Sequence, residues 1–187
     1  MPNYLVIATS GRAIAQGLKS LGYSVAVIDG FADRDTCVAA TEIIKVQRTQ
    51  YSLEVDDVLR AVTSLQSKKP FDGLFFDAAV ESNPSLLNEL NLHPVFGNSI
   101  QVLNACCHPE KFFSSLDQHS IPYPEIHLDL KLVSTEKSDW LVKAAQGTGG
   151  IGVSCLKEKL DTTKHVYLQK RIDGINFSLT FLANGQD

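Results

Sequence analysis

The sequence predicts an α/β chain in two parts, a Rossmann-like open parallel sheet followed by a small α+β subdomain with antiparallel strands. Three observations predict this class. The first half alternates short apolar runs, starting with YLVIA at Tyr4–Ala8, with stretches of helical periodicity. A helix opened by Pro109 and the sequence IPYP (Ile121–Pro124) then break the alternation. From Trp140 onward the apolar runs are typical of antiparallel strands.

Residues 1–107 are predicted to form the parallel sheet. After YLVIA, a helix places Ile14, Leu18 and Leu21 on one face, and the strand SVAVID closes a β-α-β unit. Residues 31–50 are polar and fit no single pattern. The remaining predicted elements are a helix over Leu53–Gln66, the strand FDGLFFD at 71–77, a short helix over Ser85–Leu90, the brief strand HPVFG at 93–97, and a helix capped by Asn98 or Ser99 that ends near Cys107.

Residues 108–187 are predicted to form the second part. The helix that begins at Pro109 carries Phe112, Phe113 and Leu116 on one face. Asn184-Gly185, near the end of the chain, is a strong hairpin signal. The predicted strands are WLVKA at 140–144, IGVSCL at 151–156, HVYLQKRI at 165–172 and NFSLTFLA at 176–183.

Composition excludes several classes of function. The 187 residues carry a formal net charge of −4 and a pI near 5.7, whereas a general binder of nucleic acid or anionic membranes needs a cationic surplus. No apolar run approaches the roughly 20 residues of a membrane span, and the N-terminus lacks the pattern of a signal peptide. We therefore expect a cytoplasmic protein with no nucleic-acid or membrane partner.

The cysteines and histidines predict no metal site in this chain. The cysteines lack C-x-x-C spacing, and we expect them to be reduced and buried. The five histidines are scattered, without the paired spacing of metal ligands. The cysteines are Cys37, Cys106, Cys107 and Cys155.

The segment WLVKAAQGTGGIGV, Trp140–Val153, predicts a phosphate site. An apolar strand delivers Lys143 and then enters a loop with four glycines, at positions 147, 149, 150 and 152. Glycines let backbone N–H groups approach phosphate oxygens without interference from a Cβ atom, and the lysine supplies a compact positive charge. A plain glycine-rich hairpin with a solvated lysine is the alternative.

The opening β-α-β unit has a rival interpretation as a dinucleotide site. Asp29 ends the second strand 18 residues after Gly11, close to where a ribose-binding acid belongs. The glycine fingerprint is incomplete, because Ala13 and Gln16 stand where glycines are required. Asp29 is still expected to face a substrate crevice at the carboxyl ends of the strands, together with Ser10, Gly11 and Arg12.

These motifs occur in a familiar order: a proline-opened helix with Lys111, IPYP, the strand with Lys143, the glycine loop, QKRIDG at 169–174, and FSLTF at 177–181. The order resembles the N-terminal half of the ATP-grasp superfamily, preceded by the α/β domain that such enzymes place before it. Residues 10–36 are similar to the start of a group described as predicted ATP-dependent carboligases. The resemblance covers essentially all 187 residues, and its specific part runs from about Pro109 to Phe181.

The resemblance implies a set of phosphate-binding residues. Lys111 and Lys143 match the two phosphate-binding lysines of the family. The loop Gln146–Gly152 matches the mobile lid over the β- and γ-phosphates, where Thr148 would add a hydroxyl donor. The glycines of this lid are Gly147, Gly149, Gly150 and Gly152.

The resemblance also implies an adenine hinge at QKRIDG. Gln169 would accept a hydrogen bond from the adenine amino group through its amide oxygen, where the family usually has a carboxylate. The backbone at Lys170 and Ile172 would complete the hinge. Asn176 stands where the family usually has a glutamate for the ribose hydroxyls, so two bonds to a carboxylate would become weaker amide contacts.

The implied reaction is ATP-dependent ligation of a small-molecule carboxylate to an amine or another nucleophile through an acyl phosphate. ATP and Mg²⁺ are the implied cofactors. Because the hairpin signal at the end of the chain has no second strand, the metal ligands and catalytic residues are expected beyond Asp187, and this chain is expected to be a truncated, inactive portion of the enzyme. A homodimer is a possible assembly. A non-catalytic nucleotide-binding module and, less favoured, a dinucleotide-binding protein remain as alternatives.

Overall fold

The fold comprises a five-stranded parallel sheet and a four-stranded antiparallel sheet, the two-part α/β architecture that the sequence predicts. The computed structural model describes residues 1–49, 52–92, 94–130, 139–145, 147, 149–156 and 165–179. Within those ranges the strands are β1 (Asn3–Ala8), β2 (Ser24–Asp29), β3 (Glu42–Lys45), β4 (Gly73–Phe76), β5 (Val95–Phe96), β6 (Ile126–His127), β7 (Trp140–Ala144), β8 (Val153–Cys155) and β9 (Val166–Lys170). The helices are α1 (Arg12–Ser20), α2 (Arg34–Ala39), α3 (Val55–Gln66), α4 (Ala78–Glu81), α5 (Ser85–Leu90), α6 (Ile100–Cys107) and α7 (Pro109–Gln118).

The parallel sheet has the strand order β3-β2-β1-β4-β5, with β1 at its centre. Residues Leu5–Ala8 of β1 are completely buried because helices cover both faces of the sheet. Leu5 and Ile7 join the core cluster on the α3 face, whereas Val6 and Ala8 join the cluster on the α1 face. From β1 the chain adds β2 and β3 on one side of the sheet, and then β4 and β5 on the other side. Ligands of open parallel sheets bind at such a switch point, here between β1 and β4.

Two sequence expectations in this part need correction. Leu21 was expected on the buried face of α1, but it is 68% exposed, because the helix ends at Ser20 and Gly22 adopts a left-handed φ of +80°. The polar stretch that fitted no pattern contains α2 and the edge strand β3. An edge strand is only half-buried, so its short EIIK run lacks the strong apolar signal of a central strand.

The helices α6 and α7 meet at His108, close to the predicted boundary. Ser99 caps α6, accepting a hydrogen bond from the backbone N–H of Val102 at 3.4 Å, and Pro109 opens α7, both as predicted. Of the three apolar residues predicted to share one face of α7, only Phe113 is buried. Phe112 is 37% exposed, because the helix packs against neighbours through a narrow contact.

The antiparallel sheet has the order β6-β9-β7-β8. Three of its strands lie within the predicted runs, and β6 was not predicted because two residues carry no periodicity. The strand predicted over 176–183 is wrong for residues 176–179, which form no strand; the rest of it, and Asn184-Gly185, lie outside the described residues. Phe177 and Leu179 there are 93% and 82% exposed, and no described strand pairs with them.

The prediction of buried cysteines is wrong. Cys37, Cys106 and Cys155 are exposed, and Cys107 is half-buried with its thiol donating to the carbonyl oxygen of Glu81 at 2.9 Å. Cys37 lies on the outer face of α2, Cys106 and Cys107 at the end of α6, and Cys155 on the edge strand β8, so none of them enters a core cluster. All four are free thiols. Over the described ranges, no helix combines the length and the apolar character needed to cross a bilayer.

Candidate nucleotide-binding site

Strands β7 and β9 present the predicted lysine and glutamine on one face of the antiparallel sheet. Lys143 pairs with Tyr167, and Leu141 pairs with Gln169, two positions along the ladder. Because side chains alternate along a strand, all four residues share one face, and Lys143 and Gln169 are diagonal neighbours, roughly 7–8 Å apart. We call this the lysine face.

The opposite face holds the small core of this sheet. Trp140 and Leu168 are 4% and 0% exposed and pack with Leu156. The ring of His127 lies 4.7 Å from that of Trp140. Burial of these apolar residues fixes which side of each strand faces inward, and therefore directs Lys143 and Gln169 outward.

Helix α7 packs against the lysine face. The rings of Phe113 and Tyr167 meet edge to face, with centroids 5.7 Å apart. The first turn of α7 lines a cavity of about 150 Å³ together with Ala145 and His165, at the end of the sheet where the glycine loop leaves β7. Lys111, in that first turn, is exposed and emerges roughly 200° around the helix from Phe113.

The glycine loop folds as a tight turn whose conformation requires glycine. The N–H of Gly147 donates to the carbonyl of Ala144 at 3.0 Å, and a Cβ atom on Gly147 would lie 2.6 Å from the carbonyl oxygen of Ile151. Gly149, Gly150 and Gly152 have φ values of +57°, +79° and +83°, which side chains disfavour. The loop tip at 149 and 150 is open, since a Cβ atom added at either glycine would meet no described atom within 4 Å. Gln146 and Thr148 lie outside the described residues.

The predicted adenine hinge follows β9 in an exposed segment. The N–H of Lys170 donates to the carbonyl of Glu125 at 2.8 Å, so this N–H is occupied within the sheet. The backbone N–H of Ile172 forms no backbone hydrogen bond to any residue in the described part of the chain, and the residue is 68% exposed. Asn176 is exposed and lies beyond the end of the strand. The structure thus brings Gln169 beside Lys143 but leaves Asn176 away from the sheet ladder.

Asp29 does not line a crevice, contrary to the sequence expectation. Its carboxylate is completely buried and accepts three backbone hydrogen bonds, from Gly11 at 2.6 Å, Phe31 at 2.7 Å and Ala32 at 2.6 Å. Both oxygens are therefore used to hold the loops after β1 and β2. The N–H of Gly11, which a dinucleotide site would aim at pyrophosphate, is taken by this carboxylate. Ser10 and Arg12 are exposed beside it.

A second carboxylate, Asp77 at the end of β4, was missed by the sequence interpretation. It accepts hydrogen bonds from the N–H of Thr9 at 2.9 Å and of Ala79 at 2.8 Å, and so ties the β1 loop to the start of α4. Its position, an aspartate directly after the strand FDGLFF and before AAVE, was the available signal. Asp29 and Asp77 together accept hydrogen bonds from the backbone N–H groups of Gly11 and Thr9 in the loop after β1.

Two tyrosines near the lysine face have raised pKa values. Burial raises the pKa of Tyr167. The hydrogen bond that Tyr123 donates to the Asp117 carboxylate at 2.8 Å raises the pKa of Tyr123, because it stabilises the neutral phenol.

No metal site is formed by the residues that the structure describes, in that no three His, Cys, Asp or Glu side chains among them converge. The assignment of Lys111 and Lys143 to phosphate groups stays a prediction.

Residues 110–187 match the family described as the ATP-grasp domain. A comparison with curated protein sequences found no match. Among solved structures, the chain is similar to the L-amino acid ligase from Bacillus licheniformis, with a TM-score of 0.65 and 17% identity over 93% of this chain and 45% of that one.

Two further structures show the same likeness. An N5-carboxyaminoimidazole ribonucleotide synthetase in complex with ADP matches with a TM-score of 0.66 and 18% identity, over 91% of this chain and 47% of that one. The biotin carboxylase from Campylobacter jejuni matches with a TM-score of 0.61 and 17% identity, over 91% of this chain and 45% of that one. The chain thus spans a little under half the length of these enzymes. Residues 110–187 belong to the ATP-grasp domain family, and the chain has the fold of a portion of these enzymes.

Proposed function

We propose that this chain supplies the ATP-binding portion of an ATP-dependent ligase that joins a small-molecule carboxylate to an amine or another nucleophile. The observation that carries the proposal is the register of β7 and β9, in which Lys143 and Gln169 share one face beside the glycine loop. A cation and an amide separated by one diagonal step suit the two ends of a nucleotide, its phosphates and its base.

The roles follow from the chemistry of each group. Lys143 and Lys111 would neutralise phosphate oxygens, and the N–H groups of Gly149 and Gly150 at the loop tip would donate to them. Gln169 and the N–H of Ile172 would bind the edge of adenine. In the ligase reaction ATP would activate the carboxylate as an acyl phosphate, for which the protein provides positioning and charge neutralisation. The proposal assigns Mg²⁺ to none of the described residues.

The expected inactivity of the chain alone stays a prediction. It is supported by the similar ligases, of whose length this chain covers 45–47% in the three cases above. A cytoplasmic location and a homodimeric assembly also stay predictions. The four free thiols support the first of these. Sedimentation of the purified chain would decide the assembly.

A dinucleotide site is disfavoured by Asp29 and Asp77, whose carboxylates occupy the backbone donors that pyrophosphate needs. A non-catalytic nucleotide-binding module shares the ATP site of the proposed ligase and differs only in turnover. An assay for ADP release, with candidate carboxylates and amines and with the longest reading frame that contains this chain, separates the two.

Calorimetric titration with ATP, ADP and NAD tests the nucleotide site. We expect ATP to bind and NAD not to bind. Lys143→Ala should weaken ATP binding roughly 10- to 100-fold, because a charged hydrogen bond to phosphate contributes about 1.5–3 kcal/mol. Lys68→Ala removes an exposed lysine paired with Glu42 in the parallel sheet and serves as the control. Equal ATP affinity in the two variants would overturn the assignment of Lys143, and NAD binding without ATP binding would overturn the proposal as a whole.

A further inference from the structure

Tyr167 is a half-buried aromatic residue of the lysine face. It lies directly opposite Lys143 in the β7–β9 ladder, so its ring and the lysine stem are neighbours on the lysine face. The side chain is half-buried, and its hydroxyl has no hydrogen-bond partner among the residues that the structure describes. Its ring therefore matters through packing.

The packing partner of Tyr167 is helix α7. Phe113 is 5% exposed and places its ring at 70° to that of Tyr167, with the centroids 5.7 Å apart. Phe113 and Pro109 are the two buried residues of α7, and Pro109 lines the small cavity of about 150 Å³ that Tyr167 also lines. Both buried residues of α7 therefore lie at Tyr167.

The Tyr167 contact helps to determine where the first turn of α7 lies, together with the ring of Tyr123, whose centroid is 4.8 Å from that of Phe113, and with helix α6. Lys111 is two residues before Phe113 in a continuous helix, so a rotation or shift of α7 about the Phe113 contact moves Lys111 with it. Lys143 is held by β7, which pairs with strands on both sides. The distance between the two lysines consequently depends in part on the Phe113–Tyr167 contact.

We propose that Tyr167 is a positioning residue that sets the separation of Lys111 from Lys143 and so determines affinity for the triphosphate tail of ATP. This inference rests on the proposed function. Two ammonium groups can neutralise one triphosphate only when both reach its oxygens at the same time. The adenine end does not depend on this spacing, because Gln169 lies on β9 itself.

The test is a double-mutant cycle on the 187-residue chain, with ATP and adenosine as ligands. Tyr167→Leu keeps an apolar side chain but removes the ring contact. We expect it to weaken ATP binding about tenfold and to change adenosine binding less than about twofold. In a Lys111→Ala background the same substitution should change ATP affinity less than about twofold, because the group that Tyr167 positions is already gone.

Three controls keep the result interpretable. Tyr167→Phe retains the ring and should retain ATP affinity. Tyr23→Leu removes an edge-to-face contact with Tyr4 of the same kind, in the parallel sheet, and should leave ATP affinity unchanged. Hydrogen exchange of the α7 amides, which needs no ligand, should accelerate at least about fivefold in Tyr167→Leu and remain unchanged in Tyr167→Phe.

Two sets of outcomes separate this inference from the proposed function. A tenfold loss that persists in the Lys111→Ala background, an equal loss for adenosine, or unchanged α7 exchange in Tyr167→Leu would each overturn the role of Tyr167 while leaving the ATP site in place. A wild-type chain that binds neither ATP nor adenosine would overturn the proposed function. In that case the exchange measurement would still decide whether the ring of Tyr167 anchors α7.

Discussion

At the scale of single residues, Asp29 holds the loops after β1 and β2 together. Its buried carboxylate accepts from three backbone N–H groups in two loops, a task for which a carboxylate has enough lone pairs. An exposed aspartate at the same place in the sequence would have been a candidate ligand for a ribose. The difference lies in how the loops after β1 and β2 close over it.

Asp29→Asn should lower the free energy of unfolding by about 1–3 kcal/mol. The amide replaces one acceptor oxygen with an NH₂ group, which would face a buried N–H donor and leave it unpaired. Urea denaturation followed by circular dichroism measures the change. Asp35→Asn, at an exposed carboxylate 3.8 Å from Arg12, is the control and should change stability by less than about 0.5 kcal/mol. Equal effects of the two substitutions would contradict the anchoring role of Asp29.

Gly147→Ala should weaken ATP binding about tenfold and displace the loop. The new Cβ atom would lie 2.6 Å from the carbonyl of Ile151 and 3.1 Å from that of Ala144, and both are backbone atoms that cannot move independently of the turn. Titration with ATP measures the loss. At Gly17 in α1, a Cβ atom would meet nothing within 4 Å, so Gly17→Ala should bind ATP like the wild type. If both variants bind like the wild type, the turn does not shape the site.

At the scale of elements, helix α2 depends on its N-cap. Asp33 accepts hydrogen bonds from the backbone N–H of Thr36 at 2.9 Å and from its hydroxyl at 3.1 Å. The backbone bond from Thr36 lowers the pKa of Asp33 below its usual value of 3.8. A carboxyl whose pKa is lower in the folded state stabilises that state above the unfolded pKa, and the stabilisation is lost as the pH falls through the folded pKa.

Asp33→Ala should therefore lower the thermal midpoint at pH 7, and the difference from the wild type should shrink as the pH is taken below about 3.8. Thermal unfolding at a series of pH values from 7 to 2 measures this. Asn also caps helices but does not titrate, so Asp33→Asn should keep much of the stability at pH 7. A wild-type-to-alanine difference that is constant across this pH range would show that the carboxylate is not the cap.

The two sheets differ in how their elements are fixed. The central strands of the parallel sheet are buried on both faces, and their apolar residues belong to one or the other of two large core clusters. The antiparallel sheet has one small cluster, centred on Trp140, Leu156 and Leu168, on one of its faces. Its lysine face is half-buried beside helix α7, and Lys143, Tyr167 and Gln169 each keep part of their surface accessible.

At the scale of the whole molecule, both large core clusters lie within residues 4–95. We propose on this basis that residues 1–107 form a domain of their own, separate from residues 108–187. A fragment of residues 1–107 should then fold alone and unfold cooperatively in urea. A fragment that lacks a cooperative transition would show that the parallel sheet needs the ATP-grasp part. Limited proteolysis of the 187-residue chain, with cleavage near His108, is an independent check.

Much of this architecture could be predicted from local patterns. Central strands such as β1 and β2 are continuous apolar runs because both faces are buried, and Ser99 and Pro109 mark helix starts because capping is chemistry between near neighbours. The family itself was predicted from the order of the lysine, glycine and QKRIDG motifs, and the match over residues 110–187 confirms it. Local periodicity and local hydrogen bonding are properties that a sequence contains directly.

Other features depend on residues far apart in the chain. The burial of Asp29, the donors it binds, the pairing of Lys143 with Tyr167 and the contact of Tyr167 with Phe113 all join segments whose approach is set by the packing of sheets and helices. The same reason explains the error at the cysteines, whose side chains found no core to enter. Which side chains share a face and which carboxylates are already occupied are decided only when distant segments meet, because the energies of burial and pairing belong to the contact and not to either residue alone.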